Sequence, residues 1–231
     1  MASNHLNIVV TTRCLNGIEY IDRFVRGYDF ANQIIVSDGG SDDGSIEKWM
    51  EYYPKVRVFQ YDDVTFIDGY KWNPDNNHIQ HAIDRALEYN PTWLILDDLD
   101  DVPNHLLRKD ARELLESTSV PQMNAFRLYL WGDKEYFPYM NRNFDGQFRS
   151  LWAWQPDRIH IQSDLSVKHG TMVGMMNEPA NLSIPYVLLH KSWHPDTIQQ
   201  KIDRYNAIGL PMNHPLEFAG IPEVLPEWAH E

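Results

Sequence analysis

Apolar and polar residues follow two rhythms along the first half of the chain. Short apolar-rich runs (Leu6 to Thr11, Gln33 to Ser37, Val56 to Tyr61 and the continuous Trp93 to Leu96) have the length and strand-forming residues of buried strands. Between and after them, apolar residues recur at helical spacing: Ile18, Ile21, Val25 and Tyr28, then Ile46, Trp49, Met50 and Tyr53. The same spacing returns at Ile79, Ala82, Ile83, Ala86 and Leu87, and again at Leu107, Ala111, Leu114 and Leu115. Asn16 with Glu19 three positions on reads as a capped helix start, and Pro91 closes the third helix before the fourth strand.

Strands alternating with helices of about 10 to 15 residues predict β-α-β units and a mostly parallel twisted sheet. Residues 1–116 therefore read as a Rossmann-like, nucleotide-binding half. From Pro121 the pattern changes: Met123 to Trp131 and Gln147 to Trp154 read as strands joined by an aromatic- and Asn-rich loop, with little helix until Pro195. No repeat or linker interrupts the chain. The expectation is one α/β domain over residues 1–231, with 117–231 a mixed, strand- and loop-rich half ending in a C-terminal helix.

Composition narrows the partners. A net charge of −13 argues against broad binding to nucleic acid or to an anionic membrane surface. An anionic ligand would need a metal ion or a local basic cluster. The single Cys14 excludes an internal disulfide and a cysteine-built zinc site. No apolar run reaches the roughly 18 residues of a membrane span, and the N-terminal residues lack the pattern of a leader, so a soluble, cytoplasmic protein without a transmembrane anchor is expected.

Two acidic elements carry the chemistry. The run Trp93 to Leu96 ends in Asp97-Asp98-Leu99-Asp100-Asp101, four carboxylates in five positions. Like charges about 4 Å apart repel by roughly 4 kcal/mol at an effective dielectric near 20. Splaying into water, raised pKa values or a divalent cation would each relieve that cost. Mg²⁺ and Mn²⁺ take oxygen ligands, commonly a carboxylate or two with phosphate and water. A D-x-D at a strand end is thus a candidate metal–phosphate site, located where open α/β sheets bind ligands, with a solvated acidic turn as the alternative. The second element, Asp38-Gly-Gly-Ser-Asp-Asp-Gly44, fails the calcium-loop template and lacks the Gly-Lys-Ser/Thr of a phosphate loop. Asp38 reads as a strand-end carboxylate facing the crevice.

The order Ile8–Thr11, helix, Ile-Ile-Val-Ser-Asp38-Gly-Gly-Ser-Asp-Asp-Gly, helix and strand, then Leu-Asp97-Asp98-Leu-Asp100-Asp101 resembles the family-2 glycosyltransferases of the GT-A fold. The resemblance covers roughly residues 6–116. It extends more weakly to Phe148-Arg-Ser-Leu-Trp-Ala-Trp154, Leu189-His190-Lys-Ser-Trp193 and Arg204-Tyr205. It implies that Thr11, Arg13, Asp38, Lys71, Asp97 and Asp98 face a nucleotide-sugar donor, Asp38 accepting a hydrogen bond from the base. It implies that Asp98, Asp100 and His190 surround Mn²⁺ or Mg²⁺. Asp97 allows a second register (97/98), and 98/100 is preferred because Asp101 then completes D-x-D-D.

The resemblance further implies inverting transfer to an acceptor hydroxyl on a saccharide, a lipid-linked glycan, a protein or a modified nucleobase. A carboxylate would take the proton from that hydroxyl, and Asp164, Glu178 and Asp157 are the candidates in that order. Gly170 after His169 departs from the His-Glu pair of related enzymes. Trp131, Trp152, Trp154 and Trp193 divide between core and a sugar-stacking platform, and Arg142, Arg149 and Lys168 suit an anionic acceptor. His78 and His81 read as solvated helix residues, and His190 as a ligand or a packed core histidine. Two other functions stay open: a sugar-phosphate nucleotidyltransferase, and a non-catalytic nucleotide- or carbohydrate-binding module on the same fold. Oligomeric state leaves no trace in the sequence.

Overall fold

The apolar runs do become strands, and their period-two alternation sends side chains to both sheet faces. In the computed structural model Ile8 and Val10, Ile34 and Val36, and Trp93 and Ile95 join one buried cluster, while Val9, Ile35 and Leu94 join another. Burial on both faces is what a parallel sheet between helices requires.

The structure describes residues 5–63, 65–67, 70–72, 75–137, 149–166, 172–196, 198–207, 212–218 and 221–231. Through the first half the order is β1 (Ile8–Cys14), α1 (Ile18–Gly27), β2 (Gln33–Asp38), α2 (Ser45–Met50), β3 (Val56–Gln60), β4 (Thr65–Ile67), β5 (Tyr70–Trp72), α3 (Asp75–Leu87), β6 (Trp93–Leu96), β7 (Asp101–Pro103) and α4 (His105–Ser117). There follow β8 (Gln122–Trp131), β9 (Glu135–Tyr136), β10 (Arg149–Trp154), β11 (Gln162–Ser163), β12 (Met172–Val173) and β13 (Ala180–Asn181). The chain ends with β14 (Val187–Trp193), α5 (Ile198–Ala207), α6 (Pro215–Phe218), β15 (Glu223–Val224) and a single 3₁₀ turn at Glu227–Ala229.

Among the described residues eleven strands form one sheet, with the spine β15-β9-β8-β10-β6-β1-β2-β3. The block β6-β1-β2-β3 is parallel, as the helical crossovers dictate. Beyond it β10 pairs antiparallel with both β6 and β8, so β8 runs in the direction of β6. β14 then lies parallel to β8 and antiparallel to β7. The second half is mixed, as expected, and shares the sheet of the first.

One helix start differs from expectation. Asn16 adopts a left-handed φ of 53°, and α1 begins from Gly17 without a side-chain cap. The Asn16 amide instead exchanges hydrogen bonds of 2.9 Å with the Asp42 carboxylate and backbone N–H. A loop–loop contact won over the local cap.

Helix α1 packs on β7 at very short range. A Cβ on Gly27 would lie 2.8 Å from Cβ of Val102, a buried, stiff side chain. Gly27→Val should therefore lower stability by about 2 kcal/mol or more through overpacking. Denaturant unfolding of the two proteins measures this, and an unchanged midpoint would show that the α1–β7 contact yields freely.

Candidate functional site

The acidic cluster is sorted by alternation and by one apolar anchor. Leu99 is buried, its side chain meeting the space left by Gly17. Asp97 and Asp101 turn inward and are fully buried, whereas the side chains of Asp98 and Asp100 are 41% and 20% exposed. Non-local pairing completes the arrangement. The β7–β14 register sets Asp101 opposite His190, and the β8–β14 register sets His190 beside Tyr129. Two positions before Tyr129, on the same face of β8, stands Arg127.

Arg127 is the centre of charge. Its guanidinium lies 2.7 Å from Asp101 and 3.8 Å from Asp97. The Tyr28 hydroxyl donates to the other Asp97 oxygen. The His190 Nδ1 lies 2.8 Å from Asp101 Oδ1 and 3.9 Å from Asp100. Burial, then the neighbouring Asp101 charge, pushes the Asp97 carboxyl well above the usual carboxylate range. Asp98 moves the opposite way: burial opposes ionisation, but the charges of Arg13, Arg127 and His190 outweigh it and hold the group down to about 2. Arg13 reaches Asp98 at 3.3 Å.

Asp100, Asp101 and His190 bring ligand atoms within 4.8 Å of one another. Two carboxylates and an imidazole are a donor set that accepts Mn²⁺ or Mg²⁺. Asp101 Oδ2 is the atom that Arg127 meets at 2.7 Å, and Asp101 Oδ1 is the one that faces His190 Nδ1 at 2.8 Å. Because Arg127 already shares Asp101, Asp100 and His190 are the more available donors. The expected trio was Asp98, Asp100 and His190; the group whose ligand atoms lie together is Asp100, Asp101 and His190, and Asp98 meets Arg13. Asp97, expected at the donor, is shut in the core beside Tyr28.

The second acidic element lies at the same sheet edge, since β1, β2 and β6 run parallel. Asp38 is 1% exposed, and its oxygens accept from the Gly40 and Ser41 N–H groups and the Ser41 hydroxyl at 2.7–2.9 Å. It therefore shapes its own loop. Thr11, expected at the donor, is fully buried, and its hydroxyl lies within reach of the Ile35 and Ala82 carbonyls, tying β1 to β2 and α3. His78 also departs from its solvated reading. It is buried, donates from Nε2 to the Ser37 carbonyl at 2.9 Å and stacks on Tyr61 at 4.6 Å. Burial, reinforced by the Arg13 charge, drives its pKa down to about 3, so the ring is neutral. His81 meets the Ser37 hydroxyl at 2.7 Å.

The sheet separates the three candidate bases. β10 runs against β6, so the turn after Trp154 that carries Asp157 lies at the edge opposite the acidic cluster. Glu178 precedes Ala180, which pairs with Met123 at the start of β8, and so lies at that far edge too. Asp164 is on the near side. Its carbonyl accepts from Asn76, two residues before the His78 that contacts Ser37. The Ser166 hydroxyl and N–H hold its carboxylate below the usual range. Trp152 and Trp154 are core, while Trp131 is half-buried against Phe137. The side chains of Lys71, Arg149 and Trp193, and all of Arg142, Lys168, His169 and Gly170, lie outside the described residues.

Sequence reasoning missed Arg127 and Tyr28, and the nearness of Asp101 to Asp100 and His190. Arg127 is a charged residue in an otherwise apolar-alternating strand, and that was the available signal.

No family model matches the chain, and no curated protein matches it in sequence. Solved structures do match. The crystal structure of S. aureus TarS superposes with a TM-score of 0.57 at 14% identity, over 89% of this chain and 39% of that one. Its 1–349 fragment gives 0.56 at 16% identity, over 89% and 64%. The same fragment in complex with UDP-GlcNAc gives 0.55 at 14%, over 89% and 65%. At such identities the likeness is one of fold, and the chain spans less than two thirds of each of those structures. The fold is GT-A-like, a mixed α/β sheet shared with them.

A double-substitution cycle tests the inner half of the site. Tyr28→Phe should cost about 1–3 kcal/mol, because the buried Asp97 carboxyl group loses its hydrogen-bond donor. That cost should shrink in an Asp97→Asn background. The raised Asp97 pKa means that the native state keeps a proton the unfolded chain releases, so this group's contribution to stability falls as pH rises above the ordinary carboxylate range. Asp97→Asn should remove that fall. Equal costs of Tyr28→Phe in both backgrounds, with unchanged pH dependence, would refute the pairing.

Proposed function

We propose that this chain transfers a sugar from a nucleotide diphosphate-sugar, with a UDP-sugar as first choice, to an acceptor hydroxyl, with Mn²⁺ or Mg²⁺ and with inversion. The observation that carries this reading is the convergence of Asp100, Asp101 and His190 at strand ends. The shared fold with structures that include a UDP-GlcNAc complex supports it.

In this reading Asp100 and His190, backed by Asp101, hold the divalent cation, which would neutralise the departing diphosphate. Arg127 fixes the two inner carboxylates so that the outer two keep their direction. Asp98, held ionised by Arg13, orients the donor from the same turn. The Asp38 loop and the neighbouring Tyr61–His78 stack form the wall next to which the nucleoside would lie. The proton of the acceptor hydroxyl passes to a carboxylate, and Asp164 alone of the three candidates shares the crevice edge. Its lowered pKa keeps it ionised at neutral pH and makes it a weak base, so correct placement of the acceptor must supply most of the assistance.

Incubation with a panel of nucleotide-sugars and Mn²⁺, read as release of nucleoside diphosphate, tests this. One donor should be turned over, and EDTA or Asp100→Ala should reduce turnover by about 100-fold or more, the scale expected for loss of metal assistance. Nucleotide binding without turnover of any donor would identify a binding module. Pyrophosphate release from a sugar phosphate and a nucleoside triphosphate would identify a nucleotidyltransferase.

A further inference from the structure

Behind the acidic loop, between α1, β7 and the start of α4, lies a cleft of about 250 Å³. Its polar lining is Arg23, Arg26, Arg108 and a single acidic residue, Glu231, and its apolar wall includes Val102 and Pro103. In a chain with 20 basic against 33 acidic residues, three arginines facing one acidic residue is a marked local reversal of charge.

The three guanidinium groups are not equally engaged. Arg23 is buried and already committed: Nε donates to Glu231, Nη1 to the Asp100 carbonyl at 2.8 Å and Nη2 to the Leu189 carbonyl at 3.0 Å. The guanidinium groups of Arg26 and Arg108 make no hydrogen bond and no ion pair with a described residue, although the Arg26 charge acts on Asp22 one helical turn away. The Glu231 side chain is taken up by Arg23, and Arg26 and Arg108 line the same apolar-walled space with planar, multi-donor cations. Guanidinium groups match phosphate oxygens two by two, and a partly dry wall strengthens the attraction.

We propose that this cleft binds a phosphate-class dianion, gripped by Arg26 and Arg108 with Arg23 at its base. The ligand is recognised by its doubly charged oxygens, which a free phosphate ion and a phosphate monoester share. The site is separate from the carboxylate crevice and requires neither a metal nor a nucleotide. Through Arg23 it adjoins the backbone of Asp100 and of Leu189, the residue before His190, so a ligand here touches the frame of the candidate metal site from behind.

The test is calorimetric titration of protein in EDTA, at constant ionic strength, with sodium phosphate in one arm and glycerol phosphate in the other. Saturable one-site binding is expected. Arg26→Gln and Arg108→Gln should each weaken it by about tenfold, the loss expected for one charge-assisted contact. Glu231→Gln should tighten it by removing the competing carboxylate. The tighter arm identifies the source as free ion or phosphorylated metabolite. Arg26 and Arg108 lie at the helix surface, so thermal melting should show these variants folded. Absence of saturable binding with both ligands up to about 50 mM, far weaker than the millimolar range of a useful site, would overturn the proposal. So would binding that survives both arginine substitutions unchanged.

Discussion

Burial of two carboxylates against one arginine is the constraint from which the rest of this site follows. Asp97 and Asp101 have no exposed side-chain surface, and both face Arg127. Removing one partner from such a group leaves a buried charge unanswered, typically at about 3–5 kcal/mol. The arrangement is therefore stiff in one respect: the loop cannot turn over without breaking it. With Leu99 also anchored, the outward carboxylates Asp98 and Asp100 have their directions set by the inward ones. Repulsion between four acids, costly if all faced the same way, is divided between a neutralised inner pair and a hydrated outer pair.

The same loop is held from the other side. Arg23 donates to the backbone carbonyls of Asp100 and Leu189, while Arg127 holds the side chains of Asp97 and Asp101. Two arginines distant in sequence thus fix the turn and the strand bearing His190 relative to each other. The GT-A-like sheet supplies the parallel strand ends, and these cross-links supply the geometry that could make them a site.

Elements set by local pattern were legible in the sequence. Short apolar-rich runs marked the four parallel strands, and helical spacing marked α1 to α4, because each records burial by its immediate neighbours. The acidic turn stood out as a candidate site for a related reason: four carboxylates in five positions have few physical explanations. What did not show was whatever depends on pairing between distant segments. His190 meets Asp101 because β14 pairs with β7, and Arg127 reaches them because β8 pairs with β14. No local rhythm announces either pairing. The choice of Asp101 over Asp98 as the companion of Asp100 follows from that register, and so does the placement of Asp157 and Glu178 at the far edge. His78 and Thr11 were misread for a simpler reason: a polar side chain can be buried when a backbone carbonyl waits for it.

In the proposed function this divided set of carboxylates presents a cation site formed by Asp100, Asp101 and His190. An anomalous-difference map from crystals grown with Mn²⁺ and UDP addresses it directly. The expected result is one strong peak within bonding distance of Asp100 and His190, with Asp97 still turned toward Tyr28 and Arg127. A crystal in which manganese is bound elsewhere, with Asp100 and His190 unligated, would contradict it.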